Sequence, residues 1–284
     1  MIYGLLAYLL WGLFPAFFPL LLPAGPVEIL AHRIVWTAVT MSLLLTVVRG
    51  WGQLRRASRR TWGLLVAAGL LISGNWGIYV MAVNTGHVAD AALGYFINPL
   101  LSVLLGVVFL RERLNRFQTL AVVVAALGVL QLTFLSGQAP VMALGMAITF
   151  AFYGLVKKQV QVSPTASLTA ETLLVAPLAL LYLLSIDGTF LTEGPSHTAL
   201  LLVSGLVTTL PLLLFGMAAK RLPLSTIGMI QYLTPTMQML WALFVTQEYL
   251  SPARWVGFII IWIAVAIYVA DLMKRSRART GTSG

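Results

Sequence analysis

In the apolar stretch "GYFINPLLSV", Tyr95, Asn98 and Ser102 stand at i, i+3 and i+7, on one face of a helix. Hydroxyl and amide groups at that spacing can hydrogen-bond a solute along a helix face. Pro99 cannot donate to the carbonyl of Tyr95, and its ring crowds that turn, so a kink with a freed acceptor is expected. In hydrocarbon a freed carbonyl needs a partner, which turns that part of the helix toward protein or a water-filled cavity. Gln231, Thr234 and Gln238 repeat the same spacing around Pro235. Two polar stripes with proline kinks are expected to face each other and line a cavity. The alternative is interhelical hydrogen bonding, typically about 0.6 kcal/mol per contact.

Other polar residues sit at comparable depth. "SGNWGIYVMAVN" carries Asn75 and Tyr79 at i and i+4 with Trp76 beside them, too deep for the interfacial aromatic belt. They suit a binding pocket, or helix packing through Gly74 and Gly77. Trp11 and Tyr153 occupy similar places in "LLWGLFP" and "FAFYGLV" and could shape that pocket. The buried ionisable groups are His32, Arg33 and Glu171. A charge at such depth costs about 2.5–3.5 kcal/mol on insertion scales, so each is a functional candidate. His32 or Glu171 could carry a coupling proton, since burial and a partner shift proton affinity. Glu28 and His32 share a face at i, i+4 and could simply pair. His87 and Asp90 in "NTGHVAD" could bind a cation or gate a vestibule, or belong to a solvated loop.

The elements that must position these groups follow from composition. Of 284 residues, 60% are hydrophobic and 9% charged, with mean hydropathy +0.93, against roughly 25% charged residues in a soluble domain. This is an all-α polytopic membrane protein with no room for a separate soluble domain. Apolar windows predict ten transmembrane helices near 3–22, 28–48, 62–83, 91–110, 117–135, 141–158, 166–186, 198–218, 224–245 and 254–272. The first lacks a basic flank and is too long for a signal h-region, so it is expected to stay as a permanent helix.

The net charge of +10 suggests nucleic acid until its distribution is examined. With both termini taken as cytoplasmic, sixteen of the eighteen Lys and Arg fall in cytoplasmic loops or the tail. Arg33 lies within a helix, and Arg254 alone falls on the other face. That asymmetry is the positive-inside rule, so the basic residues are topology anchors in the cytoplasmic membrane. The "KRSRAR" tail could also touch anionic lipid.

A shift of 136 residues aligns Met81 with Met217, Pro99 with Pro235, Glu112 with Glu248 and Leu114 with Leu250 without a gap, and Gly69 with Gly205 upstream. Each half holds five spans, an odd number, so the halves cross the membrane in opposite senses. The predicted organisation is residues 1–137 and 138–273 as two inverted five-helix repeats, followed by a basic cytoplasmic tail, 274–284. Secondary transporters achieve alternating access with such repeats, binding substrate near the midplane between them.

"LAYLLWGLFPAFF", "EILAHRIVW", "NWGIYVMAVNTGHVADAALGYFINPLLSVLLGVVFLRERLNRFQ", "ETLLVAPLALLYLL" and "RLPLSTIGMIQYLTPTMQMLWALFV" resemble the RarD-type branch of the EamA family, within the drug/metabolite transporter superfamily. The resemblance covers nearly the whole chain and implies ten helices in two EamA repeats and export of small molecules across the cytoplasmic membrane. Members of this branch are labelled chloramphenicol-sensitivity or chloramphenicol-resistance permeases. The chain departs from the family at Asp90, where Glu is usual, and at Met81, where Trp is usual.

The expected activity is secondary transport, by alternating access, of a small metabolite or amphipathic drug-like solute, most simply export. Few deep charges suit a neutral, zwitterionic or partly aromatic solute; a multiply anionic one would want more than Arg33. A passive channel or lipid flippase is the alternative. The absence of HExxH, GxSxG, paired deep aspartates and a Walker A loop speaks against an intramembrane enzyme and against ATP drive. With no cysteine there is no disulfide or thiolate chemistry, and no cofactor or metal is called for. The expected partners are a small-molecule substrate and the lipid bilayer. Glycine-rich helix faces suit internal packing and a homodimer equally well.

Overall fold

A computed structural model describes residues 1–85, 88–136, 141–247, 249 and 251–280. His87, the side chain of Asp90, Glu248, Leu250 and the 137–138 junction lie outside the described residues. All regular elements among those described are helical. The first segment is α1 (Ile2–Gly12), α2 (Phe14–Phe17) and a 3-10 turn (Phe18–Leu21), rather than one continuous helix. Pro15 and Pro19 explain the division: each lacks a donor and so favours the first turn of a new helix. α3 (Pro26–Val47), the short α4 (Trp51–Arg55), α5 (Arg59–Asn84), α6 (Val88–Leu110) and α7 (Arg116–Ser136) complete the first half.

The second half runs through α8 (Val141–Gln159), α9 (Pro164–Ser185), α10 (Pro195–Arg221), α11 (Leu224–Gln231), α12 (Leu233–Phe244) and α13 (Pro252–Thr280). Among the described residues nine helical segments are long and apolar enough to cross a membrane, the divided stretch Ile2–Leu21 counting as one. The stretch expected as the ninth of ten spans, 224–245, is instead two pieces meeting at Tyr232. Pro235 falls in the first turn of α12, where its missing N–H breaks no intrahelical bond. Pro99, by contrast, sits inside an unbroken α6.

The lateral surface is apolar. Leu43, Leu70, Phe134 and Leu178 are all at least 63% exposed on long helices. An apolar exterior this extensive fits lipid, not water.

A chain of contacts collects the basic loops at one end of the bundle. Gln53 Oε1 accepts from Ser163 N at 2.9 Å, and Lys158 Nζ donates to Leu222 O at 2.5 Å. The Arg221 guanidinium lies 4.5 Å from the centre of the Tyr3 ring. Asn115 Nδ2 donates to Asp271 Oδ2 at 2.6 Å.

Packing in one half has its counterpart in the other. α5 packs on α8 and α9, while α10 packs on α1 and α3. α3 with α9, and α7 with α13, join the halves. Gly69 lets α5 approach α9, since a Cβ there would lie 3.2 Å from Glu171 O. Gly205, 136 residues later, lets α10 approach α3 more closely, at 2.7 Å from Thr37 N. Arg111 and Gln247, also 136 apart, share a left-handed backbone with φ 54° and 55°.

Candidate functional site

A recess lies in the middle of the bundle, lined from both halves of the chain. Tyr8 and Trp11 of α1, Phe14, Phe18 and Arg33 form one side. Ile72, Asn75, Trp76 and Tyr79 come from α5, and Gly94, Tyr95 and Asn98 from α6. The second half adds Met146, Phe150, Leu212, Gln231, Thr234, Pro235 and Gln238. The polar stripes around the two prolines therefore meet in one recess.

Several polar groups there serve two purposes. Asn75 Nδ2 donates to Met146 O at 2.8 Å and Thr149 Oγ1 at 3.0 Å, so its amide ties α5 to α8. Thr234 Oγ1 donates to Tyr8 O at 2.9 Å, tying α12 to α1. Ser102 stands behind the lining, donating to Asn98 Oδ1 at 3.3 Å. Gln231 Oε1 and Tyr8 Oη, both buried, have no hydrogen-bond partner among the described residues. Unsatisfied buried polar atoms are few in native proteins, and a lining site accounts for them when a solute or water occupies it.

Arg33 is 8% exposed. Its Nε donates to Thr208 Oγ1 at 2.9 Å, and its guanidinium carbon lies 5.0 Å from the Phe18 ring centre, 5.3 Å from Trp76 and 5.6 Å from Phe14. Trp11 sits 5.7 Å from Phe150 and 5.8 Å from Phe215, making the neighbouring wall aromatic.

Other candidates lie elsewhere. His32 is outside the lining: its Nδ1 accepts from Trp36 Nε1 at 3.2 Å and its ring stacks 4.8 Å from Phe190. Glu28 and His32, whose spacing would allow them to pair, share no hydrogen bond among the described residues. The connection from α9 to α10 folds over the start of α3, so Glu28 Oε1 accepts from the Thr189 backbone N–H and, at 3.0 Å, from its hydroxyl. That hydroxyl is 2.8 Å from His197 Nε2.

Tyr153 and Glu171 lie between the recess and the basic end. Tyr153 Oη donates to Glu171 Oε2 at 3.0 Å, and Lys157 Nζ lies 2.7 Å from Glu171 Oε1. Ser167 bonds to both charged groups. The side chains of Lys157 and Glu171 are 2% and 0% exposed. Lys157 is thus a buried ion-pair partner, not the interfacial anchor expected of it; Lys158 takes the surface position. The Phe215 ring stacks on Tyr153 at 5.7 Å and 13°, separating this network from the recess.

At the basic end α6 packs against α11. Glu112 Oε1 accepts from Leu224 N at 2.6 Å, while Oε2 accepts from Ser225 N at 2.9 Å and from its hydroxyl at 2.7 Å. A carboxylate suits the orphan donors and positive dipole end of α11. Gly228 then crosses α6 so closely that a Cβ there would fall 2.6 Å from Pro99 O. Further along, α6 barely touches α12, and the gap between them is the recess.

The polar lining could be found from depth and period. Tyr8, Phe14, Phe18, Phe150 and Leu212 escaped because the same residue types suit lipid contact, although the prolines flanking Phe14 and Phe18 marked a bend. In the sequence Glu112 stands out only as half of a repeated pair with Glu248.

The profile of the EamA-like transporter family matches the chain twice, over residues 1–134 and 138–270. "Protein RarD" of Streptomyces exfoliatus is 45% identical over 98% of this chain and 91% of its own length. "Protein RarD" of Escherichia coli is 41% identical over 96% and 95%. A crystal structure shares the fold, with a TM-score of 0.76 over 97% of both chains at 19% identity. Fold, recess and relatives define a multi-pass inner-membrane transporter of the drug/metabolite type. The chain belongs to the EamA-like transporter family as a RarD-type protein.

Proposed function

We propose that the chain is a secondary carrier that exports a small metabolite or amphipathic drug-like solute by alternating access. Residues 1–137 and 138–273 act as inverted repeats, and α11 and α12 cross the membrane together as the ninth of ten spans. The basic end, with both termini, is cytoplasmic, in keeping with the positive-inside rule. The observation that carries this reading is a mid-depth recess lined from both halves by Tyr95, Asn98, Gln231, Thr234 and Gln238, with orphaned polar atoms inside it. Broken or kinked helices at a repeat interface are where carriers hold substrate. The contacts by which Glu112 ties the end of α6 to the start of α11 favour a gated carrier over a passive channel or flippase.

In proteoliposomes, wild-type protein should drive transient uphill counterflow of at least one labelled aromatic probe among phenylacetate, phenylacetamide and phenylalanine. Asn98→Ala and Thr234→Ala should each reduce that rate severalfold. Steady flux with no counterflow would favour a channel. Unchanged rates in both folded variants would make the stripes structural glue.

A further inference from the structure

Among the described residues Arg33 is the one charged side chain in the recess lining, and no described carboxylate shares that lining. Its guanidinium stays protonated in proteins and carries five N–H donors. Among the described residues Nε has one acceptor, Thr208 Oγ1, and the terminal nitrogens have none. Three aromatic faces stand where a carboxylate partner would otherwise be. Cation–π contact offsets part of the cost of burying the charge but satisfies no N–H donor. The buried Lys157, by comparison, has its own carboxylate. Arg33 is left as a net positive, donor-rich spot more than nine-tenths buried, facing a space with aromatic walls.

Resting on the carrier reading above, we propose that Arg33 is the substrate-recognition residue and that the transported class is aromatic monocarboxylates. The planar guanidinium would take the carboxylate in a two-point hydrogen bond, and the ring would lie against Trp11, Trp76 and Phe150. A second negative charge would meet no further cation in the lining. Among the described lining residues an ammonium would find no carboxylate, which disfavours cationic and amino-acid solutes.

The test is thermal-shift titration of the detergent-purified full chain with matched pairs: indole-3-acetate with indole-3-acetamide, and phenylacetate with phenylacetamide. Selective binding to the folded state raises the unfolding midpoint. In wild type at least one carboxylate should bind tenfold or more tightly than its amide. Arg33→Gln should erase that preference, and Arg33→Lys should keep part of it, since it retains charge but loses the planar fork. Should Arg33→Gln not fold, the wild-type preference and its reduction in Arg33→Lys decide the matter. Equal binding of acid and amide, persistence of the preference in Arg33→Gln, an undiminished preference in Arg33→Lys, or no binding of either carboxylate would overturn the proposal. Counterflow of phenylacetamide alongside equal affinities would overturn it while leaving the carrier reading intact.

Discussion

Lys157 and Glu171 are each tolerable in the membrane only because of the other. Removing one partner of a buried ion pair strands the remaining charge, at a cost of about 3–5 kcal/mol, whereas apolar replacement of both is often close to neutral. Glu171→Gln should therefore lower the thermal unfolding midpoint in detergent sharply, and Lys157→Met combined with Glu171→Leu should recover much of the loss. A double variant as unstable as the single one would mean that the Ser167 and Tyr153 hydrogen bonds matter more than the charges. At this scale the sequence speaks clearly where a polar group interrupts a greasy run, as at Asn75, Asn98 or Gln231. It speaks poorly where a charge sits at a helix end: Lys157 reads as an anchor because nothing in the neighbouring residues announces a carboxylate on α9 reaching back to it. Phe14 and Phe150 are unreadable for the opposite reason, since a ring that faces lipid and one that walls a recess obey the same hydrophobic preference.

The helices are positioned by close approaches that small residues permit. Gly205 sits where α10 crosses α3, and a methyl group there would fall inside contact distance of the α3 backbone. Overpacking of that kind typically costs about 1–3 kcal/mol. Gly205→Ala should lower the unfolding midpoint measurably, while Gly63→Ala, where a Cβ meets nothing within 4 Å, should be near neutral. Equal effects would show that the α3–α10 crossing yields easily. Most spans could be placed from apolar length alone because hydrocarbon thickness dictates it. Breaks inside spans are harder: Pro99 and Pro235 are similar in sequence, yet α6 absorbs one and the helix divides ahead of the other. The difference lies in tertiary packing, with Gly228 pressed against Pro99 and the following turn opening toward the recess.

For the whole molecule, the decisive feature is the unequal contact of α6 with its counterpart: tight against α11 at the basic end, parted from α12 beyond it. A carrier must be able to exchange that arrangement for its mirror, closing the recess at one end as it opens at the other. The 136-residue repeat makes the exchange readable in outline, and the paired left-handed residues Arg111 and Gln247 keep the same register in three dimensions. Which end is closed in a given state depends on small energy differences between two packings, which no residue pattern displays. Because the chain has no cysteine, introduced pairs report cleanly. Spin labels at Arg113→Cys with Lys220→Cys, and separately at Thr85→Cys with Thr246→Cys, measured by pulsed electron spin resonance in liposomes, give the separations at the two ends. Alternating access predicts two populations at each end, with any ligand or variant that lengthens one separation shortening the other. A single fixed distance at both ends, or distances that lengthen together, would contradict it.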